Sequence, residues 1–171
     1  MSRALIVYFS RSGENYYAGK IRFVDKGNTE RLAETIKRLT GADMFKLEPK
    51  DPYSTSYHAT TQRAAEEQEM DARPELLGIP ENLDKYDTIF LGYPIWWGTF
   101  PMAIKTFLES VDLSGKKILP FCTSEGSGFG SSLGDLLNLC PASRVIKGLA
   151  VTGTESVDCE AKVRAWLKKS I

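Results

Sequence analysis

The sequence predicts a doubly wound α/β domain, a five-stranded parallel sheet with helices on both faces. Two observations predict it. Strand-like runs recur at residues 4–9, 43–48, 88–94, 116–123 and 144–151, several of them apolar without a break, as strands covered on both faces must be. A helical pattern follows each run, so strand and helix alternate through the chain, and that order implies right-handed crossovers between parallel strands.

Each element has its own reason. Ala4-Leu-Ile-Val-Tyr-Phe9 is a continuous apolar run, the signature of a central strand. Residues 29–40 place Leu32, Ile36 and Leu39 on one helical face, and Gly41 stops the helix. Residues 14–27 separate the two. This is long for a strand-to-helix connection, and the alternation in Lys20-Ile-Arg-Phe-Val-Asp-Lys26 suits a small hairpin. Asp43-Met-Phe-Lys-Leu-Glu48 forms the second strand, closed by Pro49. Residues 60–71, rich in Glu, read as a solvated helix, with His58, the single histidine, near its start as a surface residue. Thr88-Ile-Phe-Leu-Gly-Tyr-Pro94 is the third strand. Phe100, Ile104, Phe107, Leu108 and Val111 then mark a helix, with Pro101 in its first turn. Lys116-Lys-Ile-Leu-Pro-Phe-Cys-Thr123 is the fourth strand, followed by a helix bearing Leu133, Leu136, Leu137 and Cys140 on its face. Residues 144–151 are the fifth. Ser156 is placed to cap the last helix, through Val163, Trp166 and Leu167.

With 171 residues, 42% of them hydrophobic, a single domain over 1–171 is expected, with no internal repeat. Lys plus Arg and Asp plus Glu both number 22, so there is no basic excess to draw nucleic acid or a membrane surface. Neither is expected as a partner. Cys122, Cys140 and Cys159 are an odd, widely spaced set with no metal-ligand pattern, and read as reduced thiols of a cytoplasmic protein. No metal site and no catalytic side chain is expected. The run at 4–9 is too short for a signal peptide or a membrane span.

Three loops at the carboxyl edge of such a sheet are chemically unusual, and that edge is where open α/β sheets bind ligands. After the first strand come Ser10, Ser12 and Gly13, with Asn28 and Thr29 at the start of the following helix. Hydroxyls and free backbone N–H groups at the positive end of a helix suit a phosphate. After the third strand, Pro94-Ile-Trp-Trp-Gly98 presents Trp96 and Trp97 between Pro94 and Gly98. Two indoles in a loop of this kind suit a planar aromatic ligand. After the fourth, Thr123, Ser124, Glu125, Gly126 and Gly128 form a small loop whose glycines let backbone approach a ligand closely. A phosphate at one loop and a flat ring between the other two describe flavin mononucleotide, FMN.

These motifs resemble the flavodoxin family over essentially the whole chain, specifically its short bacterial flavodoxin-like members. Ser10-Arg-Ser-Gly13 joined to Asn28-Thr29 is similar to the family's phosphate loop, with 14–27 as an insertion. Tyr93-Pro-Ile-Trp-Trp-Gly98 resembles its ring-stacking loop, and Thr123-Ser-Glu-Gly-Ser-Gly128 its second ring loop. The resemblance implies a flavodoxin-like three-layer α/β/α fold with strand order 2-1-3-4-5 and FMN held by Ser10, Ser12, Gly13, Asn28, Thr29, residues 94–98, Thr123, Ser124, Glu125, Gly126 and Gly128. The insertion leaves either Asn15 or Asn28 to supply the phosphate-loop amide, and sets Tyr16, Tyr17 or Phe23 to fold over the ring.

A phospho-receiver domain needs acidic residues where this chain has Phe9-Ser10 and Tyr93-Pro94, and a small tyrosine phosphatase needs a Cys that residues 10–13 lack. Three functions stay open. The resemblance implies an electron carrier, a monomer or weak dimer exchanging electrons with redox partner proteins or a small-molecule donor or acceptor. Here a backbone carbonyl near Gly98 is expected to turn toward flavin N5–H. The Tyr-rich insertion and the neutral charge suit an FMN-dependent NAD(P)H or quinone oxidoreductase instead. The third is a regulatory module that senses a phosphorylated ligand.

Overall fold

The computed structural model describes residues 3–171. Met1 and Ser2, counted in the expected single domain, lie outside the described residues. In chain order the elements are β1 (Ala4–Tyr8), β2 (Gly13–Tyr17), β3 (Lys20–Val24), α1 (Asn28–Thr40), β4 (Asp43–Lys46), α2 (Tyr57–Glu69), β5 (Thr88–Pro94), α3 (Met102–Ser110), β6 (Lys117–Thr123), α4 (Ser132–Leu139), β7 (Arg144–Val145), β8 (Leu149–Val151) and α5 (Glu160–Ser170). The central sheet runs β4-β1-β5-β6-β7, with β8 also on β6, and its pairings are all parallel.

The pleat sorts side chains to two cores. Leu5, Val7 and Phe9 join Ile89, Leu91 and Tyr93 beneath α3 and α4, where Ile104, Phe107 and Leu136 meet them. Ile6, Tyr8 and Phe90 face α1 and α5 through Leu32, Ile36, Val163 and Trp166. Alternate residues of one strand thus feed opposite cores, which is why β1 is apolar throughout. Among the described residues no helix is long and apolar enough to cross a membrane.

The expected fifth strand is corrected: residues 144–151 form two short pieces. Ile146 N–H still donates to the Ile118 carbonyl, so Ile118 and, two residues on, Pro120 point toward the outer strand. Pro120 has no N–H to continue the ladder, and a side chain at Gly148 would lie 2.6 Å from its carbonyl. The strand breaks where the donor is missing.

The helix ends also differ. Pro101 stands just before α3 rather than within its first turn. Ser156 does not cap the last helix; it sits in a 3₁₀ turn, Glu155–Val157, its Oγ donating to the Gly153 carbonyl at 2.6 Å, and α5 begins at Glu160. On α4, Leu137 is exposed while Leu139 packs against the core. The segment from 14 to 27 does contain a hairpin: β2 and β3 pair antiparallel, with Tyr16 opposite Ile21, through a two-residue turn in which Ala18 and Gly19 both have positive φ (52° and 79°).

Candidate functional site

Residues from the three loops meet in one cavity of about 460 Å³. From the first loop come Ser10 and, at the start of α1, Asn28 and Thr29; from the β5 loop Pro94, Ile95, Trp96 and Trp97; from the β6 loop Thr123, Ser124 and Glu125. These residues stand up to 115 positions apart in the chain, and the parallel sheet brings them to one edge.

The loop after β1 is fitted to α1. Ser10 Oγ accepts the Glu30 N–H at 3.1 Å, closing one of the open donors of the helix. A side chain at Gly27 would lie 2.2 Å from that Oγ and 2.6 Å from the Arg11 carbonyl, so glycine is what lets the returning chain pass. Buried Thr29 and Thr123 share a hydroxyl hydrogen bond of 2.8 Å, which joins the first loop to the third. Between the two candidate amides, Asn15 spends its Nδ2 donors on the Arg11 and Gly13 carbonyls, at 3.0 and 3.3 Å. Asn28 Oδ1 is buried without a hydrogen-bond partner. A buried acceptor left open costs roughly 1–3 kcal/mol, so Asn28, which lines the cavity, carries an amide oxygen in need of a donor.

The tryptophans take different places. Trp96 packs edge-to-face on Phe9 (5.2 Å, 88°) and Tyr53 (5.1 Å, 79°), an aromatic cluster continuous with the core. Tyr53 is anchored in turn by its hydroxyl, which donates to Glu67; burial and that carboxylate hold its ionisation well above the ordinary phenol value. Trp97 is 59% exposed and sits at φ 52°, a left-handed conformation that costs a non-glycine residue about 1–2 kcal/mol. Its indole N–H donates to the Thr61 carbonyl at 2.9 Å, and the Trp97 carbonyl accepts from Gln68 Nε2 at 3.2 Å. Trp97 and Gly98 (φ 84°) form the centre of a tight turn closed by paired bonds between Trp96 and Thr99.

Gly98 itself does not line the cavity, and its carbonyl is hydrogen-bonded elsewhere. It accepts the Ser131 N–H at 2.7 Å and the Ser131 Oγ at 3.2 Å, while Gly130 presses against it so closely that a side chain there would lie 2.1 Å away. The Gly98 carbonyl is thus engaged by the loop before α4. Ser12, Gly13, Gly126 and Gly128 also lie outside the cavity lining. Ser12 is exposed and Gly13 packs against the Thr55 backbone, because β2 starts there. Gly126 has open space around it, and the Gly128 carbonyl accepts from Cys122 Sγ at 3.4 Å.

The far wall comes from the insertion after β1 and from α2, a helix that the sequence reads only as solvated. Asn15 and Tyr16 of β2, with Tyr57, Thr60, Thr61 and Ala64 of α2, line it, joined by Arg11 and Gly153. The Tyr16 and Tyr57 rings stand 6.0 Å apart. Of the aromatics expected over the site, Tyr16 lines the cavity, whereas Tyr17 carries Arg22 over its ring at 5.8 Å and Phe23 is 65% exposed. His58 is exposed on the first turn of α2. Cys122 is buried and its thiol is pushed up to about 12 by burial, so it stays protonated near neutrality.

The flavodoxin family profile matches residues 3–170. A candidate flavoprotein from Bacteroides eggerthii is 30% identical, with a TM-score of 0.80 over 99% of this chain and 98% of its own. One from Bacteroides uniformis is 28% identical, with a TM-score of 0.77 over 98% of each chain. A flavoprotein from Lactobacillus acidophilus, solved in complex with FMN, is 21% identical, with a TM-score of 0.68 over 94% of this chain and 99% of its own. No curated protein matches. On the strength of a match that spans nearly every residue, this chain belongs to the flavodoxin family.

Proposed function

We propose that the chain binds FMN non-covalently in this cavity and works as an electron-transfer protein, exchanging electrons with a redox partner protein or a small-molecule donor or acceptor. The observation that carries the reading is the convergence of all three loops on one cavity of about 460 Å³, within the roughly 300–1,000 Å³ usual for such sites. The Lactobacillus acidophilus relative of the same fold, solved with FMN, supports it.

The residues present fit the group. Asn28 Oδ1 needs a donor, and ribityl hydroxyls bring donors. Ser10, Thr29 and the first backbone N–H groups of α1 suit the phosphate. Trp96 and Trp97 offer apolar faces to a flat ring and keep water from it. Glu125, whose Oε1 accepts the Gly153 N–H at 3.2 Å, offers its carboxylate to a ligand N–H or O–H. When bound, FMN supplies the redox chemistry; the side chains of the cavity hold and orient it.

A two-electron oxidoreductase is the second reading, favoured by the Tyr16 and Tyr57 wall, against which a planar substrate can lie. An anaerobic reductive titration of the FMN-saturated protein separates the two. Reduction in two resolved one-electron steps supports the carrier. A single two-electron step overturns it in favour of the oxidoreductase.

A further inference from the structure

Arg11 is half-buried, and among the described residues the Glu14 carboxylate alone is close enough to favour its charge, without forming an ion pair. Its side chain makes no ion pair among the described residues, yet it lines the same cavity as Ser10, Asn28 and Thr29. Three of its N–H groups are committed to carbonyls: Nε to Ser54 at 2.9 Å, Nη1 to Glu14 at 2.7 Å and Nη2 to Thr55 at 3.0 Å. A guanidinium has five N–H donors, so two are left without a partner. The three carbonyls belong to β2 and to the segment just before α2, the two elements that build the far wall. Partial burial disfavours the charge and pulls the guanidinium below its ordinary value.

Building on the FMN reading, we infer that Arg11 is the specificity-determining residue for a phosphorylated flavin. Its two open N–H groups take the phosphate of FMN, and its three carbonyl bonds transmit that contact to the wall made by β2 and α2. A planar guanidinium fork is suited to phosphate oxygens. Riboflavin, which has the same ring and ribityl chain but no phosphate, gains nothing from Arg11.

The test compares FMN with riboflavin, titrated into flavin-free protein, for the wild type and Arg11→Gln. The expected result is that Arg11→Gln weakens FMN binding by about 10- to 100-fold and leaves riboflavin binding within about twofold. An equal loss for both ligands, or no loss for either, overturns the inference and leaves Arg11 as a clamp for the hairpin. Hydrogen exchange on the wild-type protein gives an answer even where the variant does not fold. FMN should slow exchange at the amides of residues 14–24 more than saturating riboflavin does; equal protection by the two overturns the inference. Wild-type protein that binds neither flavin refutes the FMN reading itself, an outcome distinct from both.

Discussion

Replacing Gly27 by Ala tests the fit between the first loop and α1. A Cβ at residue 27 would stand 2.2 Å from Ser10 Oγ and 2.6 Å from the Arg11 carbonyl, both below any real Cβ contact. Ser10 can rotate away, but only by giving up the hydrogen bond it accepts from Glu30 N–H; the Arg11 carbonyl is backbone and must move as a unit. Overpacking of this kind costs about 1–3 kcal/mol, and the lost cap adds about 1 kcal/mol. Against this, Gly27 has φ −65° and ψ 156°, which alanine adopts freely, so the stiffer unfolded chain returns about 0.4–1 kcal/mol. The net loss is about 1–3.5 kcal/mol, and the melting temperature should fall by about 2–14 °C, at about 2–4 °C per kcal/mol for a chain of this size. Thermal unfolding of the flavin-free protein, followed by circular dichroism, measures it. Gly134→Ala is the control. Gly134 lies within α4 with nothing within 4 Å of the new methyl, so this change should raise stability by about 0.5–1 kcal/mol. A Gly27→Ala protein as stable as the wild type would refute the close approach.

Other consequences follow from the two cores. Tyr93→Phe leaves the buried Ser132 hydroxyl without its 3.0 Å partner and should cost about 1–2 kcal/mol in a denaturant melt; an unchanged midpoint would deny the pair. Trp166→Ala removes an indole packed on Phe90 and bonded to the Lys147 carbonyl at 2.8 Å, and should cost about 3–5 kcal/mol. Cys122, raised by burial from 9.0 to about 12, holds its proton in the folded state after the unfolded thiol has lost its own. Its contribution to stability is complete below pH 9 and declines as pH rises from 9 toward 12; the decline should be shallower in Cys122→Ala, and an identical pH profile would contradict the assignment. A thiol reagent at pH 8 should find all three buried cysteines slow to react in native protein and open in urea; fast labelling of the native state would count against their burial.

The parts legible in the sequence are those whose pattern reports burial. The runs at 4–9 and 88–94 are apolar because their alternate residues feed two cores, so composition alone marks them as central strands. α2 shows the opposite case. The side chains it turns to the cavity are Tyr57, Thr60, Thr61 and Ala64, which suit a ligand-facing wall, and apolar periodicity detects only helices that face a core. Such a helix reads as solvated. Arg11 and Gly153 were hidden for a different reason: their roles depend on carbonyls and side chains more than 20 residues away. The phosphate-loop hydroxyls had opposite fates, Ser10 turned inward to α1 and Ser12 outward where β2 begins, a choice made by the hairpin's pairing rather than by the residue type. Gly98 was singled out for its freedom, and its φ of 84° does need glycine; the turn spends that freedom on geometry, and Ser131 holds the carbonyl.

The central claim is that this cavity holds one FMN against the tryptophan loop. It is tested most directly by titrating FMN into flavin-free protein and following flavin fluorescence. Quenching that saturates at one equivalent, and weakens in Trp97→Ala, is the result expected from an indole face beside the ring. Fluorescence that stays constant across the titration, with the protein folded, would contradict it.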